Sequence, residues 1–322
     1  MRRKLRNVLG HIAASIFILV GLVRQARRKA LNSQCIIPLY FHKPDKDEFE
    51  FCIRWLQKKG FSFLSPQDIE KIINKEMPFP KGAVCITVDD GWQSNVKNVV
   101  EVANKYKVPV TIFVSTTPAE EGTYWWSYVA KARQAGLIQF SKKELKKMPE
   151  EKRLGILQEL KKKVTPGRDA MTVDQVISVS GSPFVTIGSH TLTHPILINC
   201  QEKQVYEELK TSREKLEGWT GKEVAYFAYP NGDFGQREIK ILNALDYRLA
   251  FCSEPRYLTP DLLKENYTLP RFGFLEGASS AENICRITGV WHSMMTKVRH
   301  PHLNTSNENP IRHKTSGTAQ SV

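Results

Sequence analysis

Residues 188–195 read GSHTLTHP and set His190 and His194 four positions apart among small polar residues. Neither lies in an apolar run, so packing alone is a poor account of them. Two imidazoles suit a metal, but two do not complete a ligand set. The third ligand must come from another segment. Residues 87–91, TVDDG, carry two adjacent carboxylates, Asp89 and Asp90. Both facing one cavity would repel; a cation relieves this by binding one and leaving the other free as a base. Two imidazoles and one carboxylate make a three-ligand site with a position open for water. A neighbouring carboxylate can take a proton from such a water near neutral pH. Each motif alone is common, since DDG is an ordinary turn and HxxxH is often two surface histidines on a helix. Pro195 disfavours helical geometry at His194, and HTLTH lacks the glutamate of the HExxH peptidases. The two motifs in this order, each at the end of an apolar run, carry the signal.

Elements must bring these segments together. Strand patterns occur at 35–42, 83–90, 108–115, 184–190, 224–230, 247–253 and 267–274. Amphipathic helix patterns separate most of them; one places Phe49, Cys52, Ile53 and Leu56 on a single face. Repeated strand–helix alternation implies a parallel sheet. About seven such strands imply an α/β fold closed into a barrel. Polar residues cluster at C-terminal strand ends, where parallel barrels keep their active sites. The insert at 120–180 is too long for a simple connection and reads as a helical excursion over the barrel mouth. Its charged stretch, SKKELKKMPEEKRLGILQELKKKVTPG, reads as a solvated helix face.

The chain has 322 residues and a formal charge of +14. Residues 1–30 hold eight basic residues and no acid, and residues 297–322 add a further excess of three. The body between is close to neutral, which argues against nucleic-acid binding. Six scattered cysteines without a CxxC read as buried, reduced thiols. The apolar run 12–23, flanked by arginines, is short of the roughly twenty residues of a simple span. It reads as an uncleaved anchor or a helix in the headgroup region, so residues 1–30 form a membrane-associating segment. The main domain is expected over 35–295 and a disordered tail over 297–322.

TVDDG, GSHTLTHPIL, FAYPNG and LPRFGF together resemble the polysaccharide deacetylase family, also called the NodB-homology or carbohydrate esterase family 4 domain. The resemblance covers roughly residues 35–275 and implies a distorted (β/α) barrel of about seven parallel strands. It implies a divalent metal, usually zinc with Co2+, Ni2+ or Mn2+ as alternatives, held by Asp90, His190 and His194. It implies Asp89 as catalytic base and removal of acetyl groups from N-acetylated (or O-acetylated) sugars. Many members carry an arginine where this chain has Ala228; Arg271 is the candidate replacement beside Asp89. Many also end in a histidine motif that supplies the general acid. The PLYFH segment instead resembles an exopolysaccharide-processing subgroup with that acid on the first strand, which implies His42; His292 is the other histidine in view. The backbone N–H after Tyr229 is the oxyanion donor the resemblance implies, with Tyr229 and Asn231 as substrate contacts. Tyr124, Trp125 and Trp126 are aromatic candidates for sugar contact or for core.

The expected partners are an acetylated glycan or lipid-linked sugar and, through residues 1–30, a bacterial inner membrane surface. The rival reading is a catalytically inactive glycan-binding protein on the same fold.

Overall fold

The computed structural model describes residues 2–299. All but the first three residues of the expected tail lie outside that range; those three end the helix Val290–Arg299.

Eight strands form one sheet: β1 (Ile36–Phe41), β2 (Ser62–Leu64), β3 (Ala83–Val88), β4 (Val110–Val114), β5 (Val185–Ser189), β6 (Tyr226–Ala228), β7 (Leu249–Phe251) and β8 (Phe272–Gly273). Their order is β7-β6-β5-β4-β3-β1-β8, with β2 also on β3, and every strand pair is parallel. β3 is buried along its whole length, as a central parallel strand covered on both faces must be. One of its edges pairs with all of β1. The other is shared: β2 takes Ala83–Cys85 and β4 takes Ile86–Val88.

The sheet curls but does not close into a continuous barrel. Between β7 and β8 the ladder is reduced to the single bridge Phe251–Leu269. The chain around Leu269 bonds to both Ala250 and Cys252, then runs on through Arg271 into β8 beside β1. β2, which the sequence patterns do not mark, is three residues long and only its last is buried.

Helices cover the outside of the sheet. Lys46–Lys58 buries Phe49, Cys52, Ile53 and Leu56, the face expected from their spacing. Between β4 and β5 the chain forms the helices Trp125–Gln134, Lys142–Leu145, Glu150–Lys163 and Val173–Ser180. The first three enclose a small core of their own around Trp125, Leu145, Leu157 and Leu160. Their charged stretch is not simply a solvated face. Glu150 and Arg153 are buried and paired, with Arg153 Nε 2.8 Å from Glu150 Oε2. Burial this deep is tolerated for two charges because each supplies the other's partner.

All six cysteines are free and buried. Burial pushes the Cys52 and Cys85 thiols up to about 12, which leaves them unreactive.

The N-terminal segment forms two helices, Arg2–Leu19 and Leu22–Asn32. They meet at a 63° bend, where Gly21 has φ 81°. Among the described residues, no single helix is long and apolar enough to cross a membrane. Ala14 and Val23 are buried against Cys285 and Val290, with Phe17 and Trp291 packed alongside. The first helix is also pinned near its start. Asn7 Nδ2 donates to Gly277 O at 2.8 Å, and Arg6 pairs with buried Glu282. Its other face is bare: Leu5, Val8, Leu9, Ile12, Ile16 and Leu19 are all exposed, at three- and four-residue spacing.

Candidate active site

The sheet delivers the two motifs to one place. β3 runs directly into Asp89 and Asp90, and β5 runs directly into His190. β4 lies between these strands and pairs with both. Gly188 makes the close packing possible, since a Cβ there would meet the Phe113 ring at 2.5 Å. Beyond the strand ends the backbone turns sharply. Asp90 and His194 have φ of 75° and 59°, a left-handed region that non-glycine residues rarely adopt and that concentrates at functional sites. Thr191 Oγ1 braces the second turn by accepting from His194 N–H at 3.0 Å. Glu208 braces it again, accepting from Thr193 N–H at 2.8 Å.

One atom is the focus of the expected ligand set. His190 Nε2 and His194 Nε2 lie 3.5 and 3.2 Å from Asp90 Oδ1. One donor atom from each of the three residues falls within 4.8 Å of the others. His190 Nδ1–H donates to Ala228 O at 2.7 Å, so a neutral His190 turns its Nε2 lone pair towards Asp90. Burial pushes His194 down to about 4, so that ring is neutral near pH 7. Two imidazole nitrogens and one carboxylate oxygen thus converge on one point. The donor set therefore fits a divalent metal with nitrogen and oxygen ligands. Trp92 Nε1 fixes the other Asp90 oxygen at 2.8 Å.

Asp89 is held apart from this cluster. Arg271 donates from Nη1 to Asp89 Oδ1 at 2.7 Å and from Nη2 to Oδ2 at 2.9 Å, a bidentate fork. Arg271 is itself fixed by Thr87 Oγ1 at 2.8 Å and Cys252 O at 3.0 Å. Burial, the largest single influence, raises the Asp89 carboxyl, but Arg271 together with His190 and His42 holds the group below the usual carboxylate range. The arginine expected near Asp89 thus comes from the segment before β8, while Ala228 offers only its carbonyl.

A cleft of about 590 Å³ opens over these groups. Its lining includes Tyr40, His42, Trp92, Trp126, Tyr229, Asn231, Ser253 and Glu276. His42 stands at the rim, its side chain 44% exposed and its Nδ1 4.0 Å from Glu276 Oε1. His292 is elsewhere, packed against the Phe272 ring.

Two expectations, at Trp125 and after Tyr229, need correction, and Tyr124 takes the core alternative. Trp125 is buried and off the cleft: its Nε1 donates to His194 O at 3.1 Å and its ring packs on Arg153. Tyr124 is fully buried, with its hydroxyl on Asp90 O, so of the three consecutive aromatics only Trp126 lines the cleft. The N–H immediately after Tyr229 does not exist to serve as an oxyanion donor, because the next residue is Pro230, which has none. The N–H of Tyr229 itself donates to Phe251 O at 3.1 Å, and its hydroxyl is turned to Tyr267 O.

The sequence reading also missed cleft residues. Trp92 was within reach, two positions after Asp90. Lys43, Lys142 and Lys146 also line the cleft, and no local pattern marks them.

Residues 76–250 match the family described as Polysaccharide deacetylase. The poly-beta-1,6-N-acetyl-D-glucosamine N-deacetylase of Staphylococcus aureus strain MRSA252 is 24% identical over 226 residues, covering 70% of this chain and 66% of that protein. The chain spans about two thirds of the length of the curated relatives it matches. Among solved structures, IcaB from Ammonifex degensii superposes with a TM-score of 0.59 at 18% identity, covering 80% of this chain and 98% of that one. The Streptococcus pyogenes deacetylase PplD in complex with acetate gives 0.57 at 17% identity, covering 79% and 98%. At such identities the likeness establishes the fold. His42 and Arg271 lie outside the matched segment, although the sheet brings both to the same cleft as Asp89 and Asp90. With more than half of its length matched, the chain belongs to the polysaccharide deacetylase family.

Proposed function

We propose that the protein is a metal-dependent hydrolase that removes acetyl groups from N-acetylated amino sugars of a surface polysaccharide or its lipid-linked precursor. The observation that carries this reading is the division of labour between adjacent carboxylates. Asp90 points at two imidazoles, and Asp89 is held away from them by Arg271.

A divalent cation held by Asp90, His190 and His194 would acidify the attacking water and take up charge on the amide oxygen. Asp89 then accepts the water proton. Its bidentate contact with Arg271 leaves each oxygen a further lone pair for that proton. A carboxylate held below its usual range is a weak base, so it suits a water already made acidic. A C–O bond forms at the acetyl carbon, the C–N bond breaks, and acetate leaves. His42, at the rim beside Glu276, is the side chain we assign to protonate the departing amine. Trp126 and Trp92 would pack against the sugar ring.

The test is acetate release from a panel of acetylated oligosaccharides and lipid-linked sugars. A chelator is expected to abolish release, and added zinc, cobalt or manganese to restore it. His190→Ala should lose both bound metal and release. Full turnover by chelated, metal-free protein would remove the metal from the reading.

We assign the N-terminal helix to a membrane surface. Its bare apolar face would lie in the headgroup region, with exposed Arg24, Arg28 and Lys29 of the second helix on anionic lipid. The pair Leu9→Glu and Ile16→Glu is expected to release the protein from phosphatidylglycerol vesicles in a flotation assay, with its thermal unfolding unchanged. Unaltered flotation would overturn the assignment.

A further inference from the structure

The cleft holds more positive charge than the deacetylation chemistry uses. Arg271 is matched by Asp89. Three ammonium groups remain. Lys43 Nζ lies 4.8 Å from the centre of the Trp92 ring, and Lys142 Nζ lies 4.4 Å from that of Trp126. Lys146 Nζ donates to Asn231 Oδ1 at 2.5 Å. Among the described residues, none of the three has a carboxylate oxygen within 4.0 Å of its ammonium. Glu276 on the rim is turned to the backbone N–H groups of His42 and Lys43, and the acids that act on Lys146 are Asp90 and Asp233, neither within 4.0 Å of its ammonium.

Lys142 and Lys146 are held in place. They come from the short helix Lys142–Leu145 and the residue after it, which starts on a Ser141–Glu144 capping box. Lys146 O accepts from Asn199 Nδ2 at 2.9 Å, which ties this turn to the segment after His194. Desolvation lowers both ammonium groups, and Lys142 lowers Lys146 further. Two like charges are thus kept close, partly desolvated and without a carboxylate between them. Such an arrangement is unfavourable alone and favourable around an anion. A divalent cation on Asp90 would leave the cleft more positive still.

We propose that Lys142 and Lys146 bind an anionic group, a phosphate or a carboxylate, carried by the glycan next to its acetamido sugar. The substrate is then an acidic glycan or sugar phosphate rather than a neutral polymer. This rests on the deacetylase reading for the reaction, but not for the binding.

The experiment uses the zinc-loaded full chain and three matched oligosaccharides of N-acetylglucosamine: one neutral, one bearing a terminal phosphate and one bearing a terminal glucuronate. The kcat/KM for acetate release is expected to be roughly tenfold or more higher for an acidic glycan than for the neutral one. Whichever acidic arm gains identifies the anion. Added salt should shrink the ratio. In Lys142→Met/Lys146→Met the acidic-to-neutral ratio should fall towards one, while Lys142→Arg/Lys146→Arg keeps it. A wild-type ratio near one, or a ratio unchanged in the methionine variant, overturns the proposal. If no acetate is released from any glycan, calorimetric binding of the same three decides separately. Tighter binding of an acidic glycan, lost in the methionine variant, supports the lysine site and sinks the deacetylase reading. Equal binding of all three sinks the lysine site.

Discussion

Asp89→Asn is expected to lower kcat for acetate release by roughly 10²–10⁴-fold while the protein keeps its bound metal. The substitution preserves shape and removes the proton acceptor. The donor set of Asp90, His190 and His194 is untouched, because Asp89 contributes no atom to it. The paired measurement matters: loss of both metal and turnover would make Asp89 a ligand, and turnover within a few-fold of the wild type would exclude it as the base. An Asn Oδ1 can still accept one N–H from Arg271, so the folded state should be recovered and can be checked by its unfolding transition.

The second large effect is expected at Arg271, a buried side chain, 1% exposed, paired with an equally buried carboxylate. Arg271→Leu leaves the Asp89 charge without a partner, a change that typically costs about 3–5 kcal/mol. Its pH dependence has a definite sign. In the wild type the folded Asp89 carboxyl is below its ordinary value, so the pair adds stability above about pH 4, and this is lost as pH falls through the folded value. Without the guanidinium, burial dominates and the folded carboxyl rises above that value. The variant then loses stability as pH rises, so the gap in Tm between the two proteins should widen from about pH 4 towards neutrality. The acid limb of the kcat/KM profile should move to higher pH in the same variant. The double variant Asp89→Asn/Arg271→Leu should recover part of the lost Tm, because it removes the stranded charge. A Tm gap that is flat with pH would show that the arginine acts by packing alone.

The chemistry of the centre was legible because it required residue types with few other uses. Two histidines between a glycine and a proline, and two adjacent carboxylates after an apolar run, needed only a sheet to join them. β3 was legible for a related reason: a strand covered on both faces is a continuous apolar run. The same signal fails at the seam. β6, β7 and β8 have two or three residues each, and β6 meets β5 through one residue pair, so the apolar patterns overran them. The aromatic triplet shows another limit. Trp125 begins a helix, and neighbouring helical residues point about 100° apart, so Trp125 and Trp126 could not share a face. Which of them met the cleft depended on how the insert docks. Lys142 and Lys146 were hidden by that same docking, because a run of lysines reads as a solvated surface until the surface opposite is known.

The seam has a bearing on how the molecule is made. β1 lies between β3 and β8, and Arg271 sits immediately before β8. A ribosome releases Asp89 long before it releases its counter-ion. The nascent polypeptide can nucleate β1 and β3 early, but the carboxylate stays unmatched until residue 271 has emerged. Assembly of a working centre is therefore a late event in biogenesis, coupled to the stitching of the last strand onto the first.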